Sequence, residues 1–543
     1  MSCCIGAEHS NWCKDYDIVY IDAEGKEYCI FHAPAECKFD VPKGEPYDER
    51  NGGEKPALMG AEQFNGLVFD RIDEVLDAGE DEEWDKRDDF ADYLLGGWNP
   101  RCNFTKTIFP YEIDFDLYFT SGKKPTYFPP INFTKSVFLN YTSFRDINFT
   151  GYACFEAVEF YNQAIFIDAK FIEGVNFDGS KIKSYADFTN TIFSKKTSFL
   201  STEFNKSTYF QSATFTNVHF NDAKFKEPVH FNESTFKTST SFQRTIFYDY
   251  SNFEQTNFND EANFNLALFK EWSYFRGSKF LGETTFAGAI SKETILLESI
   301  NLSNLKFAET NIESFKFIDC NWGEKRFAEI YDQKNQTGNC NDTTLAEIYR
   351  RLKRIARESA DEEQTSHWHY REKEMTLKSL SDVSLYPIGN ILATAVFFIP
   401  LCIFFLEMKP MSIFSFGVAT SLLGTAIGIA YGDYKKVTDF NKTFTKIYLK
   451  FYRFISGYGE EPIRAGVILF GIVILPFIIK FIASLFPGGP SDWLKEAMWY
   501  MPLIKINLND SQGYHYLLKG ISVTLITIQA ALFGFALRNK LRR

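Results

Sequence analysis

A phenylalanine recurs at a nearly fixed interval over residues 133–286 of this 543-residue chain. The interval alternates between five and six residues, with Ile182 replacing one Phe and one five-residue step, from Phe215 to Phe220, where six is expected. This period is neither the ~2.0 of a strand nor the ~3.6 of a helix, so the chain must turn a corner at each step. A small residue lies two positions before most of these phenylalanines, as Thr191 precedes Phe193. The pattern predicts a repeat architecture of stacked coils.

Stacked coils hydrogen-bond to one another about 4.8 Å apart and bring the Phe rings together inside the stack. Each buried Phe contributes roughly 1.5–3 kcal/mol, which must offset the ordering of its own repeat, so one repeat is not stable alone. A disordered tract is a poor alternative because disorder goes with few aromatic residues. The positions that we expect in the solenoid core include Phe193, Phe204, Phe215, Phe236, Phe247, Phe258 and Phe269.

Ser-Asn-Phe at 251–253, Thr-Asn-Phe at 256–258 and Ala-Asn-Phe at 262–264 resemble the motif of the pentapeptide-repeat family. In that motif a small residue and an Asp or Asn precede a central Leu or Phe. The resemblance implies a right-handed, four-sided β-helix with one repeat on each face. The extra residue in every second repeat departs from the family motif, and we interpret it as a regular bulge at a corner. We therefore predict a pentapeptide-repeat β-solenoid over residues 101–325.

Four apolar stretches follow in the last third of the chain, at about 391–407, 412–431, 465–486 and 516–537. A helix needs ~20 apolar residues to cross a bilayer, so we predict an α-helical transmembrane domain of four spans over residues 386–543. The second stretch is rich in Gly, Ser and Thr, and a buried or re-entrant helix is the alternative there. A helical linker over residues 326–385, broken near 359–361, precedes the spans. Membrane-tailed members of the family carry a similar helical pair.

Basic residues are concentrated in the loop between the second and third stretches and in the C-terminal tail. The positive-inside rule then places the N- and C-termini in the cytoplasm, in an integral protein of a bacterial inner membrane. The ten cysteines are not spaced like disulfide partners, which agrees with a reducing compartment. The N-terminal residues contain no apolar stretch, so we predict no signal peptide. Residues 441–456 alternate basic and apolar positions, which predicts an interfacial amphipathic helix. Its expected contacts with the membrane surface are Lys442, Lys446, Lys450 and Arg453.

The first 40 residues form a predicted zinc module that is rich in Cys and contains His32. Two residues separate Cys29 from His32, a gap that lets both reach one tetrahedral ion. We expect Cys4, Cys13, Cys29 and His32 to hold one structural Zn²⁺, with Cys3 or Cys37 as alternates. Membrane proteins with pentapeptide repeats open with a Cys-Ile-Phe-His-x-Pro segment similar to Cys29–Pro34. Reduced cysteines without a ligand and a redox or catalytic thiol are the alternatives.

Charge is distributed unevenly along the chain, whose net charge is −12. Residues 41–100 form an acidic segment that we expect to be partly helical, whereas the repeat region is nearly neutral. Some pentapeptide-repeat proteins imitate DNA with an acidic β-helix, but a near-neutral solenoid is a poor duplex mimic, so no nucleic-acid partner is expected. The chain has no Gly-rich phosphate loop, His-Glu-x-x-His or Gly-x-Ser-x-Gly motif, and we predict that it is not an enzyme.

The last two stretches enclose a segment, about 491–507, with the layout of a short helix followed by an extended strand. This layout is similar to that of a two-span pore subunit, and some membrane-tailed pentapeptide-repeat proteins look like ion channels over this region. The glycine-rich filter of potassium channels is missing, and Lys505 favours anions or weak selectivity. The predicted pore positions are Trp499, Met501, Pro502, Ile504, Lys505 and Asn507, although interfacial anchoring also explains the aromatic and basic ones.

These observations predict a cytoplasmic β-helix, acting as a sensor or interaction domain, coupled to an ion channel or gated pore in the membrane. A pore built from two-span units requires a ring of identical copies, so a homo-oligomer is expected in the lipid bilayer. A protein partner or small ligand would bind the solenoid. The alternative is a membrane-tethered scaffold for protein interactions that does not conduct.

Overall fold

The computed structural model describes residues 3–5, 12–78, 102–121, 127–323, 328–335, 340–380, 437–485, 492–502 and 513–541. The predictions for the acidic cluster at 80–89, for the apolar stretches at 391–407 and 412–431, and for Ile504, Lys505 and Asn507 lie outside these residues. The chain forms two compact units, Met1–Glu324 with Ala328–Asn335 and Lys325–Phe327 with Gln336–Arg543. Each is described by itself.

The first unit opens with a small sheet and one helix. Strand β1 (Ile18–Ile21) pairs antiparallel with β2 (Glu27–Cys29) and parallel with β3 (Tyr47–Asp48). Helix α1 (Ala61–Ala78) follows and buries Phe64 completely. Because the Phe64 ring lies 6.2 Å from the Phe109 ring of the first coil, α1 covers the open end of the solenoid. A stack of repeats requires such a terminal cap, since its last layer would otherwise expose apolar rings.

The solenoid has four faces of short parallel strands. The first face contains β4 (Cys102–Asn103), β8 (Ile131–Asn132), β12 (Ala153–Cys154), β16 (Val175–Asn176), β26 (Thr240–Ser241), β30 (Ala262–Asn263), β34 (Thr284–Thr285) and β37 (Leu305–Lys306). The second contains β5 (Ile108–Phe109), β9 (Val137–Phe138), β13 (Glu159–Phe160), β17 (Lys181–Ile182), β20 (Glu203–Phe204), β23 (Lys224–Phe225), β27 (Ile246–Phe247), β31 (Leu268–Phe269) and β35 (Ile290–Ser291).

The third face contains β6 (Ile113–Asp114), β10 (Thr142–Ser143), β14 (Ala164–Ile165), β18 (Ala186–Asp187), β21 (Thr208–Tyr209), β24 (Val229–His230), β28 (Ser251–Asn252), β32 (Ser273–Tyr274), β36 (Ile295–Glu298) and β38 (Phe315–Ile318). The fourth contains β7 (Tyr127–Phe128), β11 (Asn148–Phe149), β15 (Lys170–Phe171), β25 (Thr235–Phe236), β29 (Asn257–Phe258) and β33 (Lys279–Phe280). Two longer strands, β19 (Ile192–Ser198) and β22 (Thr214–His219), run from the fourth face onto the first. A short helix, α2 (Phe115–Ser121), follows β6.

Phenylalanine rings from successive coils stack inside the solenoid. The ring centroids of Phe188 and Phe210 are 4.8 Å apart, and those of Phe199 and Phe220 are 4.9 Å apart with 2° between the ring planes. This distance is close to the spacing of hydrogen-bonded strands, about 4.8 Å, so each ring stacks on the ring of the neighbouring coil. The β-solenoid prediction is confirmed, and the nine strands of the second face give about nine coils. The seven predicted core phenylalanines are all buried.

Two kinds of corner alternate along the solenoid. At each five-residue step a tight turn forms, as where the Ile147 amide donates to the Phe144 carbonyl oxygen over 3.4 Å. Asp146 in this turn has a φ of 56°, and left-handed residues recur at the equivalent turns of the other coils. The six-residue steps, such as Phe149 to Phe155, carry the extra residue at the alternate corner. The alternating period in the sequence therefore corresponds to two corner geometries in each coil.

The small polar residues two positions before Phe make internal hydrogen bonds. The hydroxyl of Thr256 donates to the Phe231 carbonyl oxygen over 2.8 Å, and that of Thr191 donates to the Phe166 carbonyl oxygen over 2.7 Å. Both threonine side chains are fully buried. A buried hydroxyl without a partner would be costly, so these bonds explain why Ser and Thr occur at an inward position.

A short helix closes the C-terminal end of the solenoid. This helix, α3 (Tyr331–Lys334), places the Asp332 carboxylate 2.8 Å from the backbone nitrogens of both Phe307 and Ala308. Burial raises the pKa of the Asp332 carboxyl, although these two amide donors act in the opposite direction. Asp332 therefore satisfies two backbone donors that no further coil is present to accept.

The second unit is helical. Helices α4 (Asp342–Glu358) and α5 (Glu362–Ser379) form a packed pair in which the Tyr349 and Trp368 rings are 5.7 Å apart. The break between them includes Ala360, whose φ is 57°, within the 359–361 segment where the sequence places it. The remaining helices are α6 (Val437–Ser456), α7 (Pro462–Ser484), α8 (Trp493–Met498) and α9 (Gly513–Leu541).

Candidate metal centre and membrane hairpin

Three thiols and one imidazole come together in the N-terminal module. One ligand atom from each of Cys3, Cys13, Cys29 and His32 lies within 4.8 Å of the others, and all four residues are buried. The His32 Nδ1 atom is 3.1 Å from the Cys29 Sγ and 3.4 Å from the Cys3 Sγ. These spacings are those of a four-coordinate site in which each ligand is ~2.0–2.3 Å from the ion. The group could hold a metal ion.

A tight turn positions two of these four ligands. Cys29 is the last residue of β2, and its carbonyl oxygen accepts hydrogen bonds from the amides of His32 and Ala33 over 3.1 and 2.9 Å. The turn brings the Cys29 thiol and the His32 ring to the same side. The two-residue gap in the sequence therefore has a direct structural counterpart.

The thiol that joins Cys13, Cys29 and His32 is that of Cys3, one of the two predicted alternates, so the prediction that Cys4 belongs to the group is wrong. The Cys4 amide donates to the Glu27 carbonyl oxygen over 2.9 Å, and its thiol lies beside the Tyr28 hydroxyl. Neighbouring residues direct their side chains differently, so only one of the two can reach the group. Cys37, the other alternate, lies beside Tyr20, and burial raises the pKa of its thiol.

The group of three thiols and His32 is attached to the first coil of the solenoid. His32 Nε2 is 3.0 Å from the Thr105 carbonyl oxygen, and the Phe31 carbonyl oxygen accepts from the Ile108 amide over 3.1 Å. A carbonyl oxygen only accepts, so Nε2 carries the proton and Nδ1 is directed at the thiols. A hydrogen bond of this kind fixes the ring orientation of a metal-binding histidine. Nothing in the sequence near Thr105 predicts this contact.

The thiols and the imidazole strongly perturb one another's protonation. Hydrogen bonds from Cys13 and Cys29 hold the pKa of the Cys3 thiol far below its usual range, while bonds to Cys29 and Cys3 raise the pKa of Cys13. Burial disfavours the charged form of His32, but the neighbouring thiols outweigh this effect and raise its pKa to about 9. A bound cation would replace these shared protons, because thiolates and neutral imidazole are the metal-binding forms.

A completely buried lysine lies next to the group. The Lys38 ammonium donates to the carbonyl oxygens of Ile30 and Phe31, the two residues between Cys29 and His32. Burial lowers the pKa of Lys38 to about 7, against the opposing attraction of the Cys29 and Cys3 thiols. No motif in the sequence separates Lys38 from the other lysines of the chain. Three thiolates and one imidazole are a ligand set that Zn²⁺ prefers, and a nearby ammonium balances the net negative charge of such a centre.

Two helices of the second unit are long and apolar enough to cross a membrane, over Pro462–Ile482 of α7 and Lys519–Arg538 of α9. They correspond to the third and fourth predicted stretches. The two helices pack together, and the buried Gln529 donates from Nε2 to the Ala465 carbonyl oxygen over 2.8 Å. A methyl group on Gly466 would lie 3.0 Å from the Phe533 ring, so the small residue permits this close approach.

The outer faces of the hairpin α7–α9 are apolar and exposed. On α7 the side chains of Phe470 and Val467 are 67% and 65% exposed, and on α9 Ile521 and Ile528 are also exposed. Large apolar side chains exposed along a whole helix are uncommon on water-soluble proteins, where such patches mark contact with lipid or with other chains.

The short helix α8 packs onto the hairpin. The Trp493 ring is 5.2 Å from the Phe481 ring, and the ammonium groups of Lys480 and Lys519 lie over the rings of Tyr500 and Trp499. The predicted pore positions Trp499 and Met501 are buried, and Pro502 is half-buried. Of these positions, Trp499 contacts its own hairpin, through Lys519.

Helix α6 spans the predicted amphipathic segment, but its faces are used differently from the prediction. Lys446 is buried, so its prediction as a membrane-surface residue is wrong, and Arg453 forms an ion pair with Glu374 over 3.1 Å. Lys442 and Lys450 are exposed. The side chains most exposed on the opposite face are aromatic or aliphatic: Phe444, Ile447, Tyr448, Phe451 and Phe454. Leu449, which lies between the basic positions, is buried in a core with Leu377 of α5, so only the middle of the basic face is covered.

A family model described as pentapeptide repeats, with nine copies of the repeat, matches residues 144–192, 188–235, 220–268 and 242–290. The matches cover the regular part of the solenoid, so this region is similar to pentapeptide repeats in sequence as well as in architecture. Neither the search of curated proteins nor the search of solved structures gives a match.

Proposed function

We propose that this chain is an integral membrane protein in which a cytoplasmic β-helix, acting as a sensor or interaction domain, is coupled to an oligomeric, gated ion pore. The observation that carries the proposal is the arrangement of α7, α8 and α9. In it, the two apolar helices α7 and α9 form a hairpin and the short helix α8 packs against it. The exposed apolar faces of the hairpin support its place in a bilayer, because they would be unfavourable in water.

A ring of copies is part of the proposal. Two spans cannot enclose a channel, and the interior of this hairpin is already filled by Gln529 and by the contact between Gly466 and Phe533. Conduction therefore requires a path between chains, around a symmetry axis. Lys505, in the segment that follows α8, is the residue that we propose in the wall of that path. The basic loop and tail support an orientation with both termini in the cytoplasm of a bacterial cell.

The N-terminal group is proposed as a structural zinc centre that closes the first end of the solenoid. Its support is the ligand set together with the two hydrogen bonds that attach it to the first coil. No catalytic step is proposed, because the sequence contains no Gly-rich phosphate loop and no His-Glu-x-x-His or Gly-x-Ser-x-Gly motif.

One observation favours the alternative of a membrane-tethered scaffold. The third face of the solenoid carries a row of ring contacts on its outer side, in which Tyr209 stacks on His230 at 5.0 Å and His230 meets Tyr250 at 5.5 Å. Tyr250 is 6.4 Å from Tyr274 in the next coil. Aromatic residues are enriched where proteins bind one another, so this row is the surface that a protein partner of such a scaffold would use.

Ion flux through the purified full-length protein in liposomes tests the proposed pore. We expect flux in the wild type, and an altered anion-to-cation ratio in Lys505→Ala. The exposed Lys442→Ala variant, on helix α6, is the matched control and should leave this ratio unchanged. A folded, inserted protein that is monomeric and carries no flux would instead support the scaffold.

Metal analysis of the purified chain tests the zinc centre separately. We expect about one equivalent of zinc per chain, lost in Cys29→Ala and retained in Cys4→Ala. Zinc content that is equal in both variants, or absent from the folded wild type, contradicts the assignment.

A further inference from the structure

A cavity of about 430 Å³ with several charged side chains in its wall lies in the helical unit. It is bounded by the end of α4, the first turns of α5, the turn after α6 and the end of α9. Its wall contains three cations and two carboxylates beside neutral polar groups: Lys353, Arg357, Arg538, Glu362, Glu460, Thr365 and His369. Pockets for small ligands are commonly about 300–1,000 Å³, so this cavity has the volume of a small polar ligand.

The turn after α6 is held rigidly against the cavity. Gly457, Tyr458 and Gly459 are three consecutive left-handed residues with φ values of 54°, 60° and 84°. Tyr458 is fully buried, and its ring lies 5.5 Å from that of Tyr370 and 5.7 Å from that of Tyr452. A left-handed conformation at a bulky residue costs energy and persists only where packing enforces it. This packing fixes the position of Glu460, which is buried and accepts a hydrogen bond from the Ser366 hydroxyl.

Two guanidinium groups in the wall have no ion-pair partner. Among the residues that the structure describes, no carboxylate forms an ion pair with Arg357 or Arg538, whereas Lys353 is already paired with Glu372. Arg538 lies 5.1 Å from the Phe535 ring, which orients it along the wall. Burial, together with the nearby ammonium groups of Lys353 and Lys373, lowers the pKa of His369 to about 4, so its ring is neutral near pH 7.

We propose that this cavity binds a phosphate ester that also carries free hydroxyl groups. The two guanidinium groups match the paired oxygens of a phosphate, which arginine recognises through two hydrogen bonds at once. The Thr365 hydroxyl, the neutral His369 ring and the Glu460 carboxylate then offer donors and acceptors for hydroxyl groups. A bare phosphate would leave the Glu460 carboxylate facing another anion, which is why the ligand needs hydroxyl groups on that side.

The same chemistry occurs in a phospholipid headgroup and in a soluble nucleotide. Arg538 is the last residue of the apolar stretch Lys519–Arg538, so a spanning α9 would hold the cavity at the level of lipid headgroups. A ligand there would contact α4, α5 and α9 together and stabilise their packing. The site does not depend on conduction, and binding can be measured whether or not the protein forms a pore.

Native mass spectrometry of the full-length protein in detergent tests the proposal with three probes: phosphatidylglycerol, phosphatidylcholine and ATP. Phosphatidylglycerol has a phosphate and two free hydroxyls, phosphatidylcholine has a phosphate without hydroxyls, and ATP is the soluble source. We expect phosphatidylglycerol or ATP to bind, and the double variant Arg357→Gln, Arg538→Gln to weaken that binding about tenfold or more.

Arg354→Gln is the matched control, because Arg354 is exposed on α4 one turn before Arg357 and does not line the cavity. This variant should bind like the wild type. Since Arg357 and Arg538 are exposed and unpaired, the double variant should keep the wild-type melting temperature. Binding of phosphatidylglycerol but not ATP identifies a lipid site, and the reverse identifies a nucleotide site. Equal binding of phosphatidylcholine, no binding of any probe, or undiminished binding by the double variant would overturn the proposal.

Discussion

Phenylalanine side chains lie in opposite environments in the two units of this protein. In the β-helix Phe242 is fully buried between the rings of Phe220 and Phe264, at 5.0 and 4.9 Å. On helix α7 Phe470 is 67% exposed. Exposing a large apolar side chain to water costs roughly 1.5–3 kcal/mol, so the Phe rings of the solenoid stabilise its fold, whereas the exposed Phe of the hairpin does not. The comparison teaches that apolar content alone does not define a core.

The largest expected effect comes from placing a charge in each environment. Phe242→Asp would bury an unpaired carboxylate in an apolar stack, and we expect a loss of at least about 4 kcal/mol in the free energy of unfolding. Urea unfolding followed by far-ultraviolet circular dichroism measures it. Phe242→Leu keeps the apolar character and should cost far less. A fully stable Phe242→Asp variant would show that the assigned register is incorrect.

The matched substitution in the hairpin should behave differently. Phe470→Asp should leave the urea unfolding of the β-helix unchanged, because its side chain is exposed and lies in the other unit. Its cost should appear instead as reduced membrane insertion, about 2.5–3.5 kcal/mol for a charge near the centre of a span. Alkaline extraction of membranes measures the inserted fraction. Unreduced insertion would contradict the assignment of α7 as a spanning helix.

Metal removal should affect one end of the solenoid and spare the other. Chelation should release the turn between Cys29 and His32, and the Ile108 amide that donates to Phe31 should then exchange faster with solvent. Because metal binding stabilises the folded form of small metal-dependent modules, we expect this faster exchange to be confined to the N-terminal end. Hydrogen exchange with mass spectrometry compares this amide with that of Phe307 at the far end. Equal acceleration at both ends would indicate global unfolding rather than loss of a cap.

Asp332→Ala should loosen the opposite end. Two backbone amides, the buried one of Phe307 and the half-buried one of Ala308, would lose their acceptor, which costs about 1–3 kcal/mol. We expect faster exchange at these two amides and a lower unfolding midpoint. Glu329→Ala, in the segment before α3, is a suitable comparison. Protection of Phe307 that survives Asp332→Ala would show that another group closes this end.

The smallest effect is expected inside the stack. Thr256→Val keeps the size of the side chain but removes the hydroxyl that donates to the Phe231 carbonyl oxygen, at a cost of about 1 kcal/mol. The Ser234 amide still donates to that oxygen, which limits the loss. Thr256→Ser retains the hydroxyl and should be closer to the wild type. The same urea experiment resolves the difference, and a stabilised Thr256→Val variant would contradict the role of the hydroxyl.

Local periodicity and local spacing were predictable because neighbouring residues in the sequence decide them. The Phe period predicted the stack, the Ser and Thr positions followed from the limited space beside each ring, and the short gap from Cys29 to His32 predicted a shared ligand site. The sequence could not predict which of two adjacent cysteines joins the ligand group. Cys3 and Cys4 are adjacent and chemically identical, and only the pairing of Cys4 with Glu27 decides which thiol is left to join the group.

Amphipathic patterns also left the orientation of α6 open. The sequence showed a basic and an apolar face, but the packing of Leu449 with Leu377 covers the middle of the basic face and buries Lys446. A helical pattern shows which residues share a face, while the neighbouring elements determine which face is covered.

The sequence by itself determined the β-solenoid, the length of its repeat, the two corner types and the two apolar helices of the hairpin, because each depends on regular side-chain spacing or local composition. Only the tertiary structure decided the final ligand set, the bond from His32 to Thr105, the capping of the last coil by Asp332 and the cavity of Arg357 and Arg538. Each of these joins residues more than 20 positions apart, and their meeting depends on how complete elements pack rather than on any local preference.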